Sequence, residues 1–178
     1  NGKDGLTVKE GATTDKVLLA YNNGTDSLLS DEQARKAFRY QIDAAGIASA
    51  QPDAAGALGG PISLLEPGYE DLTGLYPHDE NQAGQMFSYF GAQYLTTVNL
   101  VVPEEYRSLA ETIKQQIERQ PRPTVNLEVL SDEDYAKRIK DGKWELTVMS
   151  MDGTDDAGIF ADPDSMFHYD HTEAQQAY

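Results

Sequence analysis

Cysteine is absent from the 178 residues, so disulfides, thiolate metal sites and a cysteine nucleophile are all excluded. The same absence says nothing of the compartment, because an exported protein can do without cysteine. Basic residues are scarce: 14 Lys and Arg stand against 30 Asp and Glu, a formal charge of −16. Nucleic acid and anionic membrane surfaces are both held by clustered cations, and this balance argues against either as a partner. No apolar run approaches the ~18 residues that cross a bilayer, so direct membrane insertion by this segment is not expected. A basic start followed by a short apolar stretch is missing too; if the protein is exported, its targeting segment is expected outside the chain. Nucleophile elbows, phosphate-binding glycine loops and the dinucleotide glycine fingerprint do not occur. Catalysis is therefore not expected, and no cofactor is implied.

What the chain does have is alternation. Its length suits a single domain with a core of its own, spanning residues 1–178. A weak alternating segment covers Leu6 to Lys9, and Lys16 to Tyr21 is a better strand whose continuous apolar run predicts burial on both faces. Asn22-Asn23-Gly24 turns the chain. A helix is predicted from Asp31 to Ala48, opened by Ser30 and Gln33 in capping-box spacing, with Ala34, Ala37, Phe38, Ile42 and Ala45 as its apolar stripe. From Ser49 to Asn81 the texture is Gly, Ala, Pro and Asp without periodicity; a connection of that length is functional or laid over another surface. Asp79 to Phe90 reads as a helix with Ala83, Met86, Phe87 and Phe90 inside, stopped by Gly91.

From Leu95 onward strand, helix, strand, helix and strand follow in order. Thr97 to Val102 is the first strand, and the helix Glu104 to Arg119 follows with Pro103 as its first residue and Tyr106, Leu109, Ala110, Ile113 and Ile117 as its stripe. Val125 to Leu130 is the second strand. The helix Asp132 to Lys140 is capped by Ser131, carries acids in its first turn and cations in its last, buries Tyr135, Ala136 and Ile139, and stops at Gly142. Trp144 to Ser150 is the third strand, with Trp144, Leu146 and Val148 on one face. Such alternation predicts an α/β fold of three layers, a mixed sheet with helices on both faces.

Two constellations invite a metal. Asp152, Asp155, Asp156, Asp162 and Asp164 suggest calcium, but an EF-hand register from Asp152 puts Ala157 at the glycine position and Pro163 at the final glutamate. His168, Asp170 and His171 are close in sequence, yet no fixed third ligand accompanies them. A solvated acidic loop and exposed terminal histidines are the simpler readings, and no metal is expected.

Four blocks in order resemble a known family. The first is the strand into Tyr21-Asn22-Asn23, then Leu29-Ser30-Asp31 and Arg35-Lys36-Ala37-Phe38-Arg39-Tyr40-Gln41-Ile42-Asp43. Gly60-Pro61-Ile62, Tyr76 and the run from Asn81 to Gly91 form the second. The third is the run from Leu109 to Ile117. The fourth joins Leu130-Ser131 through Tyr135, Asp141-Gly142-Lys143-Trp144-Glu145-Leu146 and Asp162-Pro163-Asp164-Ser165-Met166-Phe167. Together they resemble one lobe of the peptide/nickel class of ABC-transporter solute-binding proteins, over most of the chain from Val17 to Phe167.

That resemblance implies a periplasmic-binding-protein type II lobe, with the other lobe of a two-lobed clamp encoded elsewhere. It further implies an extracytoplasmic location, at the cell surface as a lipoprotein or in a periplasm, a small solute such as a peptide, and an ABC permease as partner. Candidate ligand contacts on this lobe are Asn22, Asn23, Met149, Met151, Asp155, Asp156, Asp162 and Asp164, supplying acceptors for an amine or amide and apolar walls. Two departures limit the inheritance. Ile159 stands where peptide-binding members carry an amine-holding aspartate, and Val101-Val102-Pro103 where dipeptide-binding members carry a carboxylate-holding arginine. Dipeptide specificity is therefore not implied. The competing expectation is a free-standing acidic surface interaction domain with no small-molecule cleft.

Overall fold

The computed structural model describes residues 11–94, 96–153 and 157–177. Four strands form one mixed sheet in the order β1 (Lys16–Tyr21), β4 (Leu146–Met151), β2 (Thr97–Pro103), β3 (Thr124–Leu130). β2 runs parallel to both β3 and β4, and β1 closes one edge antiparallel to β4, with Lys16 opposite Met151 and Tyr21 opposite Leu146. The remaining elements are α1 (Glu32–Gln41), α2 (Ala44–Ala50), α3 (Glu80–Tyr94), α4 (Arg107–Ile117), α5 (Asp132–Lys140) and α6 (Thr172–Ala177). The weak strand expected at Leu6 to Lys9 lies outside the described residues.

Handedness decides where the helices go. The crossover from β2 through α4 steps outward to β3, and the one from β3 through α5 steps back past β2 to β4. Right-handed crossovers that step in opposite directions place their helices on opposite faces. Accordingly Val98, Leu100, Val102, Val125, Leu146 and Val148 pack with α1, α3 and α4. Ala20 and Val101, pointing the other way, pack with Tyr135 and Ile139 of α5 and with Ile159, Phe160, Met166 and Phe167. The expected three layers are therefore present, the second face being shared by one helix and an irregular segment.

The larger core is built on Phe38, fully buried in α1, whose ring meets Phe87 edge-on at 5.1 Å and Tyr21 at 6.5 Å. Burying a side chain of that size contributes roughly 1.5–3 kcal/mol. Desolvation pushes the Tyr21 phenol up to about 12, with the Arg39 and Arg35 charges only partly offsetting it. Beside this core a set of buried amides ties three helix ends together. Gln41 Nε2 donates to the Gln116 carbonyl at 2.6 Å, Gln120 Nε2 donates to Gln41 Oε1 and to the Glu80 carbonyl at 2.8 Å each, and the Asp43 N–H donates to Gln116 Oε1 at 2.8 Å.

Several expectations are corrected here. The single helix over Asp31 to Ala48 is two, because Ile42 turns extended and the Asp43 carboxylate caps a new helix at the Gly46 N–H. Ala45 is consequently exposed. Asp31, not Ser30, caps α1, accepting from the Gln33 N–H at 2.7 Å. Gly91 does not stop α3, which runs on to Tyr94.

Pro103 pairs with Leu130 as the last residue of β2; a 3-10 turn over Glu104–Tyr106 intervenes before α4, which ends at Ile117 and leaves Arg119 outside. Ala136 is exposed on α5. β1 is an edge strand with Val17 52% exposed, so its apolar run is not covered on both faces. Trp144 precedes β4 and drops into the cluster opposite to Leu146 and Val148, because the chain bends at Glu145, whose carbonyl and carboxylate are bound by the Asn22 and Asn99 N–H groups.

Candidate functional site

In open α/β sheets a crevice forms outside the carboxyl ends of strands whose connections depart to opposite faces. Here the chain leaves β2 at Pro103 toward α4 on one face, and leaves β4 at Met151 toward the segment carrying Ile159 and Phe160 on the other. The topology thus puts the crevice between the carboxyl ends of β2 and β4, beside the amino end of antiparallel β1. Met151, 7% exposed, and Lys16, its cross-strand partner, stand at this edge. Met149 lies two residues back, partly buried against the smaller core. Asp155 and Asp156 lie outside the described residues.

The other candidates stand at the opposite end of the β1–β4 ladder. Asn22 Nδ2 donates to the carbonyls of Gly142 (3.1 Å) and Trp144 (2.9 Å), and its Oδ1 accepts from the Gly24 N–H at 3.0 Å. Asn23 Nδ2 donates to Tyr21 O at 3.0 Å and Phe167 O at 2.9 Å. These amides splice the loop after β1 to the residues before β4 and to the 162–168 segment. Asp162 accepts from the Asp164 N–H at 2.9 Å, and both acids are exposed on that turn. A broad groove of about 1530 Å³ opens at this end, with Asn22, Asn23, Arg35, Trp144, Pro163 and His168 among its lining. Two buried polar atoms here lack a partner: Asn23 Oδ1 and the Trp144 indole N–H. The described candidates therefore form two groups separated by the length of β4, not one cluster.

A third constellation escaped sequence reasoning. Lys16 Nζ donates to both Glu66 carboxylate oxygens at 2.7 and 2.6 Å, and the two side chains are only 3% and 11% exposed. The Ser63 N–H donates to Glu66 Oε2 at 2.6 Å. The Lys16 ammonium and Ser63 pull the Glu66 carboxyl down to about 2, against an ordinary 4.5. This pair fastens the irregular 51–79 connection to the carboxyl edge of the sheet. Further along, Arg39 Nη2 donates to Gly59 O at 2.9 Å and its guanidinium lies 4.9 Å over the Tyr76 ring. Gly59 is required where it stands, because a Cβ would lie 2.3 Å from the Leu72 backbone. No signal in sequence links positions fifty residues apart; an isolated lysine opening an apolar strand was the only hint.

Among the described residues no three His, Asp or Glu side chains gather as a metal site, and no helix is long and apolar enough to cross a membrane.

No family model and no curated protein matches the chain by sequence. Solved structures do match. The oligopeptide-binding protein AppA from Bacillus subtilis, in complex with a nonapeptide, is 15% identical and superposes with a TM-score of 0.73 over 92% of this chain and 38% of its own. The ABC transporter substrate-binding protein CtaP from Listeria monocytogenes is 15% identical, with a TM-score of 0.77 over 93% of this chain and 36% of its own. NikA from Brucella suis, in complex with Fe(III)-EDTA, is 14% identical, with a TM-score of 0.70 over 93% and 41%. The chain spans well under half the length of the structures it matches. Its fold is that of one part of these three proteins.

Proposed function

We propose that the chain is one wall of a two-lobed extracytoplasmic solute-binding protein, which captures an oligopeptide or similar solute and delivers it to an ABC permease. The observation that carries this reading is the coincidence of two facts. Nearly the whole chain superposes on proteins of that kind, one of them holding a nonapeptide, and the strand order opens a crevice at the carboxyl ends of β2 and β4. A lone wall desolvates little of a ligand, so affinity would come from closure of a second wall over it. The solute would shift an open–closed balance by whatever contacts it makes only in the closed form.

On this reading Met149 and Met151 supply an apolar wall and Asp155 and Asp156 acceptors for an amine, whereas Asn22 and Asn23, at the far end of the ladder with Asp162 and Asp164, hold the framework through their main-chain bonds. Titration calorimetry of the polypeptide encoded by the full reading frame, against mixed peptide pools of three to nine residues, tests the proposal. Heat of binding accompanied by a fall in the radius of gyration from small-angle scattering is expected. No heat with any pool overturns the peptide assignment, and binding without compaction overturns the hinged trap.

A further inference from the structure

Ser63 to Glu66 is a tight turn, closed by the Glu66 N–H on Ser63 O at 3.0 Å and by the Ser63 N–H on the Glu66 carboxylate. The next turn, Glu66 to Tyr69, has the residues such geometry demands: Pro67 first and Gly68 second, the glycine at φ +83°. The Ser63–Glu66 turn is of another kind, with neither central residue at positive φ, and such a turn accepts most side chains. Its two central positions are Leu64 and Leu65, 63% and 56% exposed, while Ser63 beneath them is 4% exposed. Two leucines at the tip of a turn gain nothing from the turn and lose nothing to the core. They are held outward by the buried Lys16–Glu66 pair at the edge of the sheet where Met151 ends β4. Adjacent leucines lifted into solvent on so firm a support, at the edge where the crevice opens, point to an outside contact.

We propose that Leu64 and Leu65 form an apolar rim of the capture crevice and receive an apolar side chain of the bound solute. This rests on the reading of the carboxyl edge as the capture site. Size selects the occupant. The two side chains offer on the order of 200 Å² of apolar surface, against about 800 Å² per partner in a stable protein interface. That is too little for a second copy of a chain with a formal charge of −16, and matches one aliphatic or aromatic side chain.

The test uses the full-length protein and two pentapeptide pools, alike except that one carries leucine and the other serine at a fixed central position. The wild type is expected to bind the leucine pool about 10- to 100-fold more tightly. The double variant Leu64→Ser/Leu65→Ser is expected to erase that preference with an unchanged melting temperature. Leu75→Ser, altering another exposed leucine of the same connection, is expected to keep it. Survival of the preference in the double variant overturns the inference while leaving the proposed function standing. So does an equal loss for both pools, which assigns the leucines to the opposing wall, or a change of sedimentation, which assigns them to a second copy. A wild type that binds neither pool overturns both readings.

Discussion

The two ends of the β1–β4 ladder differ in how they are fastened. Where β1 gives way to the Asn22-Asn23 turn, side-chain amides bind main-chain carbonyls of Tyr21, Gly142, Trp144 and Phe167, so chain is joined to chain through groups every residue possesses. At the Lys16 end the join is side chain to side chain, one ammonium on one carboxylate, and what it holds is a connection with no ladder of its own. The first end is anchored on the buried Trp144; the second lifts two leucines into solvent. A main-chain splice fixes the framework, whereas a single ion pair positions a surface.

Substitutions can break this contrast, and the largest effect belongs to the Trp144 end. Trp144→Ala should cost about 3–5 kcal/mol in urea unfolding, because the ring is 2% exposed between Ala20, Val101 and Phe167. At the other end Glu66→Ala should cost roughly 3 kcal/mol, since it strands the Lys16 ammonium among buried groups. Its signature is pH dependence. The folded protein holds the Glu66 carboxyl near 2 while the unfolded chain holds it near 4.5, so the folded form releases that proton more readily. The resulting stability is present above about 4.5 and is lost as pH falls toward about 2. Urea midpoints of the variant should be flatter than those of the wild type across that window.

Smaller effects sharpen the comparison. Asn22→Ala removes two donated bonds and one accepted bond and should cost about 2 kcal/mol. Asn23→Ala should cost less, about 1–2 kcal/mol, because deleting its unpartnered buried Oδ1 offsets part of the lost pairing. The smallest change is Leu64→Ser, within about 0.5 kcal/mol by thermal melting, as befits a side chain the fold does not use. A large destabilisation there would erase the distinction between the framework end and the presenting end.

Local signals carried much of the fold. The bounds of β1 and α5 were legible because β-branched and apolar runs, the Ser131 cap, the charge gradient along α5 and the φ +66° Gly142 all act within a few residues. What escaped depends on distant neighbours. Gln41 is no part of the apolar stripe of its helix yet is fully buried, because Gln116 of α4 and Gln120 just beyond that helix satisfy its amide. Trp144 keeps strict alternation with Leu146 on paper, and changes face because Glu145 is pulled aside. The candidate site was legible only in its outline. The carboxyl edge near Met151 follows from strand order, whereas the Lys16–Glu66 join, made across fifty positions, has no local signature.

Tyr21 has a consequence for measurement. Ten tyrosines are spread along the chain, and an alkaline titration followed by ultraviolet absorbance reads the ionisation of their phenols. The phenol between strand and helix, pushed up to about 12 by burial, is expected to ionise only as the scaffold around Phe38 lets go. The protein thus carries an optical tell-tale of its own unravelling, with no dye or label attached.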